Sequence, residues 1–210
     1  MCGRYGRRGD KQKMAEAFHV NAGLDELYES EDCAPGSIQP VILVNEEGER
    51  EFTSMRWGFK LPDRLLFNTR SEGVESANFW KKMFAANRCI VPATSYFEWA
   101  DVSGPKQKYE VTLPGQEFLG IAGVWSPWQN PKTGQWEKTF STFTSEPNAL
   151  IRTIHDRQPV ILERRDFAEW LTATERLPIH LLRITPEERM SMKIAGGVEQ
   201  GGAIQAGLFG

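Results

Sequence analysis

Apolar positions along the chain follow two different periods. Near the start, Met14, Ala17 and Phe18 recur at spacings of three and four. That places them on one face of a helix over residues 11–20, with Asp10 as its cap. From residue 39 the pattern turns strand-like. Residues 39–44 (QPVILV) and 51–57 (EFTSMRW) are joined by NEEGER, with Gly48 in the turn. A second helix carries Phe79, Trp80, Met83 and Phe84, with Ser76 as its expected cap. Residues 89–94 and 96–99 read as extended and run into a polar turn at DVSGPKQ. Further strands are expected at 109–113, 118–125 and 138–144. Pro147 opens a short helix toward Arg152, and a last helix holds Phe167, Trp170 and Leu171.

Strands fill the middle and helices sit toward the two ends. This order implies an α+β fold, a single domain with a strongly bent, barrel-like mixed sheet flanked by helices. The domain is expected over residues 2–195. Residues 196–210 carry six glycines and few apolar anchors, and are expected to form a disordered tail. Hydrophobic residues make up 40% of the 210 positions and include seven Trp, enough for a real core. No apolar run approaches the roughly 18 residues of a membrane span. The opening MCGRYGRRGD is not followed by an apolar stretch, so a cytoplasmic, signal-free protein is expected.

The net charge of −3 excludes a generally basic nucleic-acid binder. Any DNA contact must come from a local patch. Arg4, Arg7 and Arg8 are one candidate, and a solvated charged turn is the plainer alternative. Cys2, Cys33 and Cys89 form no CxxC pair, and His19, His155 and His180 are far apart. That spacing gives no metal motif and no disulfide framework, so neither a metal nor an organic cofactor is expected. Cys33 and Cys89 read as small buried hydrophobes.

Cys2 is different because of its position. Once Met1 is lost, its thiol and α-amine sit on adjacent carbons. Such an aminothiol condenses with an aldehyde, first to an imine and then to a five-membered thiazolidine. The α-amine titrates near ~8, so roughly a tenth or more of it is nucleophilic at neutral pH. Glu98, between Phe97 and Trp99, is either a desolvated acid/base or the water-facing member of an alternating strand. His155 in IHDRQP is a proton-transfer candidate or a surface residue at a helix end. Asn68 and Arg70 in FNTR offer an orienting amide and a phosphate fork, or an ordinary turn. Trp57 in RWGF could stack on a base or fill the core.

Taken in order, these segments resemble the SRAP family, the SOS response-associated peptidase family of abasic-site DNA–protein crosslinkers. The matching segments include MCGRY, CAPG, PVI, RWGF, NTR, RCIVPA, YFEW, AGVW, TFSTFT and IHDRQPVIL, across residues 2–172. The resemblance implies that Cys2 crosslinks, Asn68 positions its amine and the sugar, Glu98 promotes sugar opening, and His155 moves protons. It also implies that Arg4 and Arg70 bind phosphates, that Trp57 and Trp99 line the DNA cleft, and that Thr144 lies near the site. The implied partner of this monomer is single-stranded DNA bearing an abasic site, held in a groove on one face. Loss of Met1 by the domain's own peptidase chemistry and an abasic-site lyase activity are further implications.

Thr69, Ser95-Tyr96, Gln158 and Cys33 depart from the family pattern at their positions, without touching the proposed chemistry. The usual P-V-S segment near the C-terminus is not recognisable. Two other readings remain open at this stage. One is an amidohydrolase using Cys2 as an N-terminal nucleophile. The other is a reversible single-strand binder in which Cys2 is incidental.

Overall fold

Residues 4–7, which the sequence left open as a basic patch or a charged turn, form an interior strand of a sheet. The structure is a computed structural model and describes residues 2–101, 105–173 and 176–196. Along the chain the elements are β1 (Arg4–Arg7), α1 (Lys11–Phe18), β2 (Ser30–Cys33), β3 (Ile38–Val44), β4 (Arg50–Trp57), β5 (Phe59–Lys60), β6 (Leu65–Leu66) and β7 (Asn68–Arg70). They continue as α2 (Asn78–Ala86), β8 (Arg88–Ala93), β9 (Ser95–Ala100), β10 (Gln107–Thr112), β11 (Leu119–Gln129) and β12 (Trp136–Ser145). The last are α3 (Ala149–Arg152), β13 (Gln158–Pro159), β14 (Ile161–Leu162), α4 (Phe167–Leu171) and β15 (Ser191–Ile194).

The mixed sheet closes on itself. β12 pairs with β4, β4 with β3, β3 with β8, β8 with β11, and β11 returns to β12. The β12–β4 pairing is parallel and the other four are antiparallel. A second, antiparallel sheet runs β15-β10-β9-β1-β2. β8 passes through Thr94 into β9, so one extended run serves both sheets. At that corner the Thr94 N–H donates to the Gly6 carbonyl at 2.8 Å. The expected α+β domain with a bent, barrel-like sheet is therefore what forms.

The apolar run VIL in β3 is continuous because both faces of the strand are covered. Val41 and Leu43 join a core with Tyr5, Trp57, Tyr96 and Phe140. Ile42 points the other way, into a core with Phe143 of β12 and with Phe18, Phe84, Phe167 and Trp170 from the helices. Gly120 in β11 lets α4 come close, since a Cβ there would meet the Phe167 ring at 2.8 Å.

Helix ends differ from expectation in three places. α1 stops at Phe18 because His19 adopts a left-handed conformation (φ 54) that caps it. The Ser76 hydroxyl donates to the Gly73 carbonyl and does not cap α2, which begins after Ala77. α3 is capped by Asn148, whose side chain accepts from the Ile151 N–H at 2.9 Å. Residues 102–104 of the expected polar turn, and all of the glycine-rich tail beyond Gly196, lie outside the described residues.

One buried cation ties helices to barrel. The Arg88 guanidinium donates to the carbonyls of Phe84 and Ala85 at the end of α2, and of Trp170 and Thr172 at the end of α4. These carbonyls have no helical partner, and each helix end carries partial negative charge. Arg88→Met should therefore cost about 3 kcal/mol of unfolding free energy, read by urea denaturation with tryptophan fluorescence. A loss below ~0.5 kcal/mol, the range of an ordinary surface substitution, would show that the carbonyls find other partners.

Candidate functional site

Three side chains distant in sequence meet where the two sheets join. Cys2 leads into β1, which is held between β9 and β2, with Arg4 opposite Phe97. Glu98 lies on β9, and His155 follows α3. The Cys2 sulfur, a Glu98 carboxylate oxygen and a His155 ring nitrogen all lie within 4.8 Å of one another. Glu98 is 1% exposed. The alternating, water-facing reading of Glu98 is thus excluded: nearly all of β9 is buried on both faces.

Each of the three is positioned by fixed neighbours. The Asn68 side-chain amide donates to the Cys2 carbonyl at 3.0 Å, and its oxygen accepts from the Thr142 hydroxyl at 2.8 Å. β7 pairs in parallel with β12, Asn68 opposite Thr142, so the sheet itself orients this amide. His155 Nε2 stands 3.6 Å from Glu98 Oε2. Its Nδ1 faces the Arg157 backbone, with the N–H at 3.1 Å and the carbonyl at 3.0 Å. That turn accommodates either ring tautomer, which suits a group that both gives and takes protons. The Arg157 guanidinium bonds both Glu72 oxygens, at 3.1 and 2.8 Å, and the Thr144 carbonyl at 2.6 Å.

Burial sets the protonation of the pair. It pushes the Glu98 carboxyl above the ordinary carboxylate range. Burial, reinforced by Glu98, pushes the Cys2 thiol well above its usual value. Burial therefore favours the thiol form of Cys2 and the protonated form of the carboxyl beside it.

The DNA-contact candidates scatter. Arg4 is partly exposed and pairs with Asp32 at 2.7 Å, and Lys108 shares that carboxylate at 3.0 Å. Alternation puts Arg4, Phe97 and Trp99 on the face of the sheet opposite Glu98. There the Lys108 ammonium lies 4.0 Å from the Phe97 ring centre and 5.4 Å from that of Trp99. Arg70 is exposed two residues beyond Asn68 on β7. Trp57 corrects the expected cleft residue: it is buried, stacked on Phe140 at 6.2 Å, and donates to the Phe67 carbonyl. Thr144 is buried too and serves Arg157 through its carbonyl. Arg7 is 1% exposed and bonds Tyr28 and Gln39, while Arg8 pairs with Glu31 and Glu110. The N-terminal arginines do not form a free basic patch.

Sequence reasoning missed Thr142, Glu72 and Arg157. Only Arg157 left a trace, in the H-x-R-x-P spacing. Thr142 is one of several hydroxyls in TFSTFT, and Glu72 looks like a surface acid.

The raised Glu98 pKa has a sign that can be tested. Between the ordinary carboxylate value and the folded one, the folded state holds a proton that the unfolded state has released. Stability must fall as pH rises through that window. Glu98→Gln should therefore be more stable than the parent at neutral pH, and the gap should close below about pH 4. Urea titrations across this range would read it. A parent that gains on the variant as pH rises would reverse the assignment.

Comparison with known proteins gives the same outline. Residues 1–196 match the SOS response associated peptidase (SRAP) family. The abasic site processing protein YoqW of Bacillus subtilis is 29% identical over 192 residues, spanning 86% of this chain and 84% of that one. The abasic site processing protein HMCES of Xenopus tropicalis is 28% identical over 174 residues, spanning 66% of this chain and 52% of that one. A crystal structure of a Bordetella bronchiseptica protein superposes with a TM-score of 0.79 at 24% identity, covering 92% of this chain and 99% of the other. A phage-related protein of the same organism gives 0.75 at 25% identity, covering 93% and 95%. With a family match along nearly its whole described length, the chain belongs to the SOS response associated peptidase family.

Proposed function

We propose that this protein processes abasic sites in single-stranded DNA by forming a covalent bond to them through Cys2, once Met1 is removed. The observation that carries the reading is the meeting of Cys2, Glu98 and His155 within 4.8 Å, beside an Asn68 amide that grips the Cys2 carbonyl. The relatives named abasic site processing proteins supply the substrate class.

The abasic deoxyribose is mostly a closed hemiacetal. A protonated Glu98 gives its proton to the ring oxygen as the C1–O bond breaks, and the C1 hydroxyl gives its proton to water as it becomes the aldehyde carbonyl. The Cys2 amine attacks the aldehyde carbon, and loss of water leaves an imine. The thiol then adds to the imine carbon, its proton passing through Glu98 or His155 to the nitrogen. The net change is aldehyde plus aminothiol to thiazolidine plus water. Asn68 holds the amine in reach, which turns a bimolecular encounter into a local one. Proton abstraction from the imine gives a route to β-elimination, so a lyase activity belongs to the same reading. The exposed Arg70, two residues beyond Asn68, is read as a phosphate contact, whereas Arg4 and Trp99, on the face of their sheet opposite Glu98, are left out of the contact to the reacting sugar. Removal of Met1 is assigned to the same acid/base groups or to an aminopeptidase. The protein is read as a cytoplasmic monomer of the DNA-damage response.

An amidohydrolase would need a thiolate, and burial beside Glu98 opposes one. A reversible binder gives no reason for the three groups to converge.

Purified protein with a verified Cys2 N-terminus should give a slow band on a denaturing gel with an oligonucleotide carrying one abasic site. Cys2→Ala should abolish the band. No band from the parent protein would end the proposal. His155→Ala should slow formation or reversal by about 10²-fold while leaving the circular dichroism unchanged. Parental rates in both directions would remove His155 from the mechanism.

A further inference from the structure

The groups that serve the aldehyde are also a ligand set. A thiol, a carboxylate and an imidazole are the donor types of tetrahedral zinc sites, which sequence spacing could not reveal because residues 2, 98 and 155 are so far apart. We infer that the processed chain binds one divalent transition-metal ion of the zinc class at Cys2, Glu98 and His155, and that this ion masks the aminothiol. The inference rests on the reading above in one respect, that Met1 is removed.

The geometry is close to what such an ion needs. Ligand atoms around a tetrahedral zinc ion stand roughly 3.3–3.8 Å apart, given its bond lengths. The His155 Nε2 to Glu98 Oε2 separation is already 3.6 Å, and all three donor atoms lie within 4.8 Å of one another. Closing the remaining gap takes side-chain shifts of about 1 Å. The outer contacts fit as well. Ligating histidines usually give their second ring N–H to a carbonyl, and the Arg157 carbonyl stands 3.0 Å from Nδ1. Glu98 Oε1 is buried with no geometric hydrogen-bond partner among the described residues.

Loss of Met1 completes the set. The freed amine and the thiol of Cys2 close a five-membered chelate ring on a metal. Amine, thiolate, imidazole and carboxylate then make four ligands. The thiol proton is released to solvent on binding. Thiolate and imidazole favour zinc-class ions over magnesium or calcium. The same two lone pairs attack the aldehyde, so metal and abasic site exclude each other.

The test uses processed protein, its N-terminus confirmed by mass spectrometry and its metals stripped by a chelator. It is titrated with Co²⁺, then with Zn²⁺. One Co²⁺ per chain should bind with a thiolate-to-cobalt charge-transfer absorption, and Zn²⁺ should displace it. The band should vanish in Cys2→Ala. Affinity should fall at least about tenfold in His155→Ala and Glu98→Gln, each shown folded by circular dichroism. A chain keeping one residue ahead of Cys2 should also bind more weakly. In parallel, Zn²⁺ should suppress crosslinking to the abasic oligonucleotide, and chelator should restore it. No cobalt band, or one that survives Cys2→Ala through Cys33 or Cys89, overturns the inference. If metal-free protein crosslinks but binds no cobalt, the metal site falls alone. If cobalt binds as described but metal-free protein never crosslinks, the metal site stands and the proposed function falls.

Discussion

The site depends on how β1 is anchored. A chain's first residues normally fray, having few contacts to hold them. Here Arg4–Arg7 is an interior strand, paired with β9 on one side and β2 on the other. Tyr5 packs against Trp57 at 5.1 Å, and the buried Arg7 donates to the Tyr28 carbonyl at 2.7 Å and to Gln39 at 2.9 Å. An arginine of this kind is hard to move, because leaving its partners would strand a buried charge. Residue 2 is therefore delivered to one place, beside Glu98. Arg7 and Tyr5 thus position Cys2 through the strand without touching it.

That anchoring also fixes the environment. Glu98 is adjacent in sequence to Phe97, which pairs with Arg4 in register, so sheet pairing sets where the carboxyl stands relative to Cys2. Desolvation then keeps both groups neutral more than water would. A thiolate waiting in the open would oxidise or meet stray electrophiles. A buried neutral thiol is shielded from both.

Much of this was readable beforehand, and what was not has physical reasons. The strands of the closed sheet announced themselves because their apolar runs are long and face two cores, as with Val41, Ile42 and Leu43. β1 did not, because its burial comes from tertiary pairing and its sequence, RYGR, is polar. The segment order singled out Cys2, Asn68, Glu98 and His155, and the fold brings the four together in space. Trp57 was placed in the cleft only by the family resemblance, and the core position that suits a lone Trp in a strand is the one it takes. Thr142 and Glu72 were invisible because their roles come from strand register and a long-range ion pair, neither of which leaves a local pattern.

Glu72 matters beyond its own pairing. Arg157 is two residues from His155, and its guanidinium is close enough to bear on the Cys2 thiol. Had that cation paired with Glu98, the carboxyl would be pulled down and locked as an anion. Instead both Glu72 oxygens take it, with the Thr144 carbonyl closing the grip. The positive charge is neutralised one layer out, and among the described residues the nearest charged neighbour of Glu98 Oε2 is His155 Nε2 at 3.6 Å. A buried carboxyl that can still exchange its proton is what the proposed aldehyde condensation needs. The Glu72–Arg157 pair is the arrangement that preserves it.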